Sequence, residues 1–387
     1  MKISIKSIPV IYYHSIAPRQ NTKWFRYWLT LELKYFEDQL KYLKHHNYNS
    51  LFLSEYFEIR GNSREKGNYV VLTFDDGYVD NYIYVYPLLK KYGFKGTFFV
   101  SPEFVNKKSS MRKTLDDYWH NKASLKEIDN WGFLSWEEMR IMQNNGFIDI
   151  QSHTMSHTKY FISDNITGFH YPGSDCLYPI GNLFPERKPY YIGDPDFERL
   201  LPYGYPFFEE ASAVIAKKVQ INEEFIQEII KRLKKWDFSV PYNFEKLMSQ
   251  VKEIYLKYKK NDSIIIGKES QKEYEQRVEE ELKLSKEMIE KELEKPVEYL
   301  CWPHGDNNDF SHKKALEVGY KATTVGKSKA TSNDDHRFSR IGLGAYKNSL
   351  FLSNLKMRYK INSYRKKQPW YTLFWLYNKM KYGELPY

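Results

Sequence analysis

The sequence predicts an α/β protein in which helices cover a parallel β-sheet. Short apolar runs alternate with helical patterns over the first 150 residues, and the alternation returns after about residue 272. Two polar groups, 75–76 (DD) and 153–157 (HTMSH), directly follow predicted strands. Alternating strands and helices are typical of parallel sheets, and the carboxyl ends of such strands are where active sites form.

The individual elements follow from residue type and spacing. Runs rich in β-branched and aromatic residues predict strands at 7–13, 69–74, 96–100, 147–150, 297–301 and 320–324. Apolar residues at helical spacing predict helices at 31–46, 79–91, 273–294 and 312–318. Gly93 is the expected stop of the second helix. Ser135 and Glu138 form a capping box, which predicts one more helix ending near Gly146.

The alternation is interrupted after His157. Residues 160–210 contain thirteen aromatic residues with repeated Pro and Gly, and a charged helical stretch follows at about 222–259. We interpret 160–268 as an insertion, part loop and part helix. Long insertions in compact domains are usually functional, so we expect a lid or a substrate wall.

The positive charge is concentrated at the C-terminal end. Of the net charge of +10, the tail 346–387 contributes nine Lys and Arg against one acid, interleaved with eleven aromatic residues. Because the rest is nearly neutral, we expect no nucleic-acid partner. Two interpretations of the tail stay open: it lies on an anionic membrane, or it is a terminal helix whose aromatics pack on the sheet.

Two further features bear on the compartment and the kind of metal site. Cys176 and Cys301 are the two cysteines, which excludes a disulfide framework and an all-thiolate zinc site. The N-terminal residues lack the apolar core of a signal peptide. We therefore expect a cytoplasmic protein; of the two interpretations of the tail, the first would place it at the inner face of the membrane.

The polar residues at the strand ends suit metal chemistry. Asp75 and Asp76 would repel each other unless one binds a cation and the other acts as a base beside it. His153 and His157 are four residues apart, so one helical turn would bring both imidazoles to a single metal ion. Two histidines and one carboxylate leave positions open for water, as in catalytic sites. Taken singly, each motif is also compatible with an ordinary turn or with surface histidines.

Together the motifs resemble a known family. Residues 73–77 (TFDDG) and 153–157 resemble the two metal-site motifs of the NodB-homology polysaccharide deacetylases (carbohydrate esterase family 4), and 297–306 (VEYLCWPHGD) is similar to the third. Arg340-Ile341 resembles a segment near the family's C-terminal end. The resemblance covers 1–158 and 272–345. It implies a distorted (β/α) barrel of seven strands, one fewer than the regular barrel.

The resemblance also implies roles for single residues. Asp75 would be the general base, and Asp76, His153 and His157 would bind one divalent metal ion. We expect zinc, with cobalt, nickel or manganese as alternatives. The backbone N–H of His304 would bind the oxyanion. We also expect the aromatic residues of the motifs, Trp302 and Tyr78, to contact substrate.

This chain departs from the family pattern at two points. Cys301 and His304 stand where the third motif usually has Arg and Tyr. Losing the Arg removes a partner that orients Asp75. The usual late histidine, the general acid, is also absent. His14 ends the first predicted strand, as in the circularly permuted poly-N-acetylglucosamine deacetylases, and is our candidate for the acid, with His304 as its competitor.

The expected function is therefore removal of an acetyl group from an N-acetylated amino sugar in a poly- or oligosaccharide or a glycan precursor. Two alternatives stay open at this point. One is a carbohydrate O-acetyl esterase with the same site, since only the leaving group differs. The other is a non-catalytic carbohydrate-binding homologue, which the altered third motif would suit but the four retained site residues do not.

Overall fold

The computed structural model describes residues 8–60, 67–108, 111–327, 334–345 and 349–382. The strands are β1 (Val10–Tyr13), β2 (Ser15–Ala17), β3 (Thr30–Glu32), β4 (Tyr48–Leu51), β5 (Asn68–Phe74), β6 (Gly96–Val100), β7 (Ile148–Ser152), β8 (Lys159–Phe169), β9 (Pro206–Ser212), β10 (Val219–Ile221), β11 (Ile265–Lys268), β12 (Tyr299–Leu300), β13 (Ala322–Thr324), β14 (Arg337–Phe338) and β15 (Ile341–Gly342). The helices are α1 (Leu33–His45), α2 (Leu53–Ile59), α3 (Tyr86–Tyr92), α4 (Leu115–Trp119), α5 (Trp136–Asn144), α6 (Leu177–Leu183), α7 (Glu223–Leu233), α8 (Phe244–Lys260), α9 (Gln271–Leu293), α10 (Asp309–Val318), α11 (Leu350–Tyr364) and α12 (Trp370–Tyr382). Residues Asn81–Val85 form a π-helical turn that leads into α3.

The central sheet is parallel throughout. Its strand order is β14-β13-β12-β7-β6-β5-β1-β15, with β4 paired to β5 beside this path. Each of these neighbours pairs in parallel. The strands at its centre, β5 and β6, are apolar and almost fully buried, as expected of a sheet covered on both faces. The predicted α/β class is confirmed.

The sheet curls until its two edges nearly meet. The outermost strands, β14 and β15, lie at opposite ends of the strand order, yet only Ser339 and Arg340 separate them in the chain. The chain thus crosses from one edge of the sheet to the other within two residues. If β14 and β15 are counted as one interrupted strand, the path has seven positions, as predicted. We call residues 339–340 the seam of the barrel.

The main core lies inside this curled sheet and beneath the helices that cover it. Phe36 and Leu40 of α1 join Phe74, Phe98 and Ile150 of three neighbouring strands in one apolar cluster, and all are fully buried. The predicted helix at 273–294 is observed as α9, and its buried residues recur at helical spacing toward the same core. This packing fixes the strand ends that carry the polar motifs.

The segment after β7 has more strand than the sequence predicted. Its two antiparallel pairs, β8 with β9 and β10 with β11, frame α6 and the packed helices α7 and α8. Phe169, Phe208, Phe225 and Val251 contribute to a second apolar cluster within it. The division of the chain into a barrel at 1–158 and 272–345, an insertion and a tail remains a prediction.

In the C-terminal tail, α11 packs one face in the main core and exposes another, on which Phe351 is 76% exposed, whereas the described side chains of α12 are exposed or half-buried. Met357 and Ile361 of α11 are fully buried in the main core, and the Arg365 guanidinium donates to the Tyr48 hydroxyl at 2.9 Å. By contrast, Leu373 and Met380 of α12 are 51% and 81% exposed. Among the described residues, the helices are all too short or too polar to cross a bilayer.

Candidate metal centre and acid–base site

Polar residues follow five neighbouring strands at the same edge of the barrel. The strands β1, β5, β6, β7 and β12 are followed directly by His14, Asp75, Ser101, His153 and Cys301. Because parallel strands end at a common edge, these residues come together although the chain separates them widely. The predicted site residues thus lie where the fold class places an active site.

Asp76, His153 and His157 converge on one point. The Asp76 Oδ1 atom lies 3.1 Å from His153 Nε2 and 3.2 Å from His157 Nε2. Both histidines are buried. Asp76 and His157 have left-handed backbone conformations with φ of 72° and 45°, and Thr154 between the histidines has φ of 64°. Such conformations are costly for residues other than Gly and mark functional sites.

The donors of this cluster fit a divalent transition metal. The Nδ1 atom of His153 lies 2.7 Å from the Cys301 carbonyl oxygen, which makes Nδ1 the protonated nitrogen and leaves Nε2 free to act as a ligand. Burial raises the pKa of Asp76, but the two imidazoles outweigh it and hold that pKa well below its usual range. Two imidazole nitrogens and one ionised carboxylate are a zinc ligand set with room for substrate.

A second group, Asp75, His153 and Cys301, is also close enough to hold an ion. Its donors are already engaged, however. Arg340 donates to Asp75 Oδ1 at 2.7 Å and Oδ2 at 2.8 Å, and its Nη2 atom lies 2.9 Å from Cys301 Sγ. A metal ion here would sit beside a guanidinium cation. The first cluster is therefore the better metal centre.

Arg340 is the partner of Asp75 that the sequence left unnamed. It lies at the seam of the barrel, and its guanidinium forms a bidentate ion pair with the buried Asp75 carboxylate. Burial raises the pKa of Asp75, but Arg340 and the neighbouring histidines bring it below its ordinary value. Asp75 is thus kept ionised. The noted resemblance at Arg340-Ile341 was a signal of this role, although spacing alone could not connect it to Asp75.

The two candidate acids lie on different sides of the site. His14 Nε2 is 3.8 Å from Asp75 Oδ2. The His14 carbonyl accepts a hydrogen bond from Asn81 Nδ2, and the next residue, Ser15, donates to the buried Asp80 carboxylate. His14 is therefore held beside the base with its ring a quarter exposed.

His304 is turned toward the insertion instead. Its Nε2 atom lies 3.0 Å from the Tyr178 hydroxyl, and its ring centre is 4.6 Å from that of His157. Burial and the neighbouring His157 lower the pKa of His304 well below its usual range, which keeps its imidazole neutral. His14 lies beside Asp75 and His304 faces the insertion, so His14 remains our candidate for the acid.

The two predicted substrate contacts differ in their surroundings. Tyr78 lines the pocket beside Asp76 and His157. Trp302 is 1% exposed, and its indole belongs to the main core. The expectation that the Trp302 ring contacts substrate is therefore corrected: the ring has no accessible face at the site. Its position in a motif reflects packing beneath the site.

The structure adds one pocket residue, Arg26, and one residue in contact with it, Tyr178, neither of which belongs to a sequence motif. Arg26 lines the same pocket, and its Nε and Nη1 atoms donate to Asp175 and to the Tyr178 hydroxyl, each at 2.8 Å. Tyr178 comes from α6 of the insertion and also contacts His304. The insertion thus reaches the metal centre. Neither Arg26 nor Tyr178 can be identified from the sequence around it, because their partners are more than a hundred positions away.

Comparison with known proteins decides the family. A family model for polysaccharide deacetylases matches residues 62–258, about half of the chain, including Asp75, Asp76, His153 and His157. This chain belongs to the polysaccharide deacetylase family. The match extends into the segment that we interpret as an insertion. His14, His304 and Arg340 lie outside it.

A sequence relative matches part of this chain. The putative polysaccharide deacetylase YxkH of Bacillus subtilis (strain 168) is 31% identical over 151 residues, which are 39% of this chain and 43% of that protein. The alignment thus spans less than half of the relative.

Solved structures resemble the chain over most of its length at low identity. A de-N-acetylase from Aggregatibacter actinomycetemcomitans is 16% identical, with 86% of this chain and 94% of that one covered and a TM-score of 0.48. IcaB from Ammonifex degensii is 14% identical, with coverages of 91% and 97% and a TM-score of 0.47. The deacetylase PplD of Streptococcus pyogenes is 17% identical, with coverages of 87% and 91% and a TM-score of 0.46.

Proposed function

We propose that this protein is a metal-dependent hydrolase that removes the acetyl group from an N-acetylated amino sugar in a poly- or oligosaccharide or a glycan precursor. The observation that carries the proposal is the side-by-side arrangement of two units. One is the cluster of Asp76, His153 and His157, and the other is Asp75, a carboxylate kept ionised by Arg340. Family membership supports the same chemistry.

The chain's own groups divide the work of the reaction. Asp76, His153 and His157 would hold a divalent ion, which we expect to be zinc; when bound, it would supply Lewis acidity toward the acetyl carbonyl and would make water more acidic. Asp75 is ionised and accepts the proton of the attacking water. The backbone N–H of His304 is our candidate donor to the oxyanion. His14, beside Asp75, donates a proton to the leaving amine, so that acetate and a free amino sugar are the products.

The direct test is acetate release from matched substrates. We expect the metal-loaded protein to release acetate from N-acetylglucosamine oligosaccharides, and to lose this activity with a chelator. Free, nucleotide-linked, lipid-linked and polymeric N-acetylglucosamine should be compared, together with an O-acetylated sugar. Release from the O-acetyl substrate alone would indicate the esterase. No release from any of them, with metal bound, would indicate the carbohydrate-binding homologue.

Arg340 offers a sharper test of the base. Lysine at this position keeps the charge but cannot form the bidentate ion pair with Asp75. We expect Arg340→Lys to lower kcat about 10²-fold, because small displacements of a catalytic group have effects of this size. Substrate KM and zinc content should stay unchanged.

The matched control is Arg337→Lys. Arg337 is also buried and pairs with Asp334, but it does not contact the site. It should leave kcat unchanged. Equal kcat in Arg340→Lys and the unmodified protein would show that Asp75 does not depend on Arg340.

We also propose that α12 docks the protein on an anionic membrane surface, with a lipid-linked sugar as the substrate class this would suit. The support is the basic tail and the exposed apolar residues Leu373, Leu376 and Met380. Helix α11 packs Met357 and Ile361 in the main core, so a truncation at Lys360 would cut through structural packing. Cytoplasmic location is part of the same proposal.

Vesicle co-sedimentation tests the role of α12. Basic residues contribute roughly 1 kcal/mol each near an anionic leaflet, and the attraction is screened by salt. The full chain should therefore bind anionic vesicles at low salt and release them at high salt, and Leu373→Ser/Leu376→Ser should weaken binding. Leu183→Ser, at a leucine 55% exposed in the insertion, is the control. If the full chain does not co-sediment with anionic vesicles at low salt, the proposal is wrong.

A further inference from the structure

One lysine of the insertion is buried against the loop that carries His153 and His157. Lys188 is 2% exposed. Its ammonium donates to the Glu103 carboxylate at 2.6 Å and to the Ser156 carbonyl oxygen at 2.9 Å. Lysine is almost never fully buried unless it is paired, because the ammonium loses its hydration. The buried ammonium of Lys188 thus donates a hydrogen bond to the backbone carbonyl of Ser156, the residue immediately before His157.

The loop that receives this hydrogen bond is strained. Thr154 and His157 have φ of 64° and 45°, which residues other than Gly adopt only when their surroundings enforce it. Part of the enforcement comes from the barrel side. The Glu281 carboxylate accepts hydrogen bonds from the Ser156 N–H and hydroxyl, both at 2.7 Å, and the Glu103 N–H donates to the Met155 carbonyl. Lys188 donates to the next peptide unit, which joins Ser156 to His157.

The surrounding part of the insertion is shaped around the lysine. A Cβ atom on Gly181 of α6 would lie 2.8 Å from Lys188 Cε, so glycine leaves the space that the lysine stem occupies. The next residue, Asn182, contacts the Thr158 hydroxyl at 2.5 Å and donates to the Lys159 carbonyl at 2.8 Å. The insertion therefore forms hydrogen bonds on both sides of His157, to Ser156 before it and to Thr158 and Lys159 after it.

We propose that Lys188 is a positioning residue through which the insertion holds His157 in its metal-binding conformation. The inference rests on the metal site of the proposed function. It changes the expected role of the insertion from a lid or substrate wall to a structural part of the metal centre. Groups that orient metal ligands typically contribute 10- to 100-fold to metal affinity, and we assign Lys188 a contribution of this size.

The test measures metal binding directly. We expect Lys188→Met to lower the affinity for Zn²⁺ by 10- to 100-fold in a chelator competition, and to alter the visible spectrum of the Co²⁺-loaded protein. Lys295→Met is the matched control, because Lys295 also donates to a carboxylate and a backbone carbonyl, those of Asp149 and Ile150, on a strand of the barrel. Both variants lose a paired lysine. Only Lys188→Met should change the metal affinity and the spectrum.

A second variant keeps the lysine and disturbs its position. Gly181→Ala places a methyl group against the lysine stem and should also weaken Zn²⁺ binding, but it should have no further effect in the Lys188→Met background. It serves as the test if Lys188→Met does not fold. Unchanged Zn²⁺ affinity in both single variants overturns the inference while the proposed function stands. Absence of Zn²⁺ binding by the unmodified protein would instead overturn the proposed function.

Discussion

His157→Ala is expected to remove the metal ion and abolish turnover. The substitution deletes one of three ligands, and the Asp76 oxygen that lies 3.2 Å from His157 Nε2 loses that partner. Two remaining protein ligands are fewer than the three that catalytic zinc sites use. Metal content measured on the purified protein after dialysis, together with acetate release, checks both parts of the expectation.

His312→Ala provides the comparison for a buried histidine outside the site. His312 Nδ1 lies 2.9 Å from the Thr323 hydroxyl, and its ring lies near Asp334. This variant should lose some stability, as a buried hydrogen bond is worth about 1 kcal/mol, but it should keep its metal and its activity. A His157→Ala protein with full metal occupancy and full rate would show that the metal is held elsewhere.

Asp75→Asn is expected to lower the rate by about 10²- to 10⁴-fold, the usual contribution of a general base. An amide has nearly the same shape as a carboxylate but cannot take up the proton of water at this step. The metal ligands are untouched, so zinc content should stay the same. Single-turnover acetate release and metal analysis on the same preparation separate the loss of the base from the loss of the ion.

The substitution also weakens the ion pair with Arg340, and a control must account for this. Asp149 lies on β7 and forms an ion pair with Lys295. Asp149→Asn therefore removes a comparable charge pair away from the metal. We expect the two variants to be destabilised to a similar extent, with activity lost only in Asp75→Asn. Normal turnover by Asp75→Asn would rule out the proposed mechanism.

The sequence was sufficient for the parts of the site that are local in the chain. A strand followed at once by Asp75-Asp76, and another followed by His153, are short-range patterns, and the parallel arrangement then brings them to one edge. The α/β class with a parallel sheet followed from the same alternation, whereas the barrel was implied by the family resemblance. The antiparallel ribbon of β8 and β9 was missed because β8 is half exposed along most of its length and lacks the apolar pattern of a buried strand.

The parts that escaped prediction depend on distant pairing or on burial. Arg340 replaces the missing motif arginine from 265 residues away, and Lys188 reaches Glu103 across 85 residues. Residue type alone cannot reveal such partners. Trp302 was interpreted as a substrate contact because it stands in a motif, but its burial decides against that role. For the tail, the sequence could not separate the packed α11 from the exposed α12.

The seam of the barrel also determines when Asp75 obtains its cationic partner. During synthesis, the ribosome releases all three metal ligands long before it releases Arg340, which is 265 positions beyond Asp75. Pairings of such sequence separation form late, after loop closure has been overcome. A nascent chain or a fragment ending before the seam would carry the metal ligands and a buried carboxylate with no cation to stabilise its charge. Completion of the barrel and placement of a cation beside Asp75 are therefore one event.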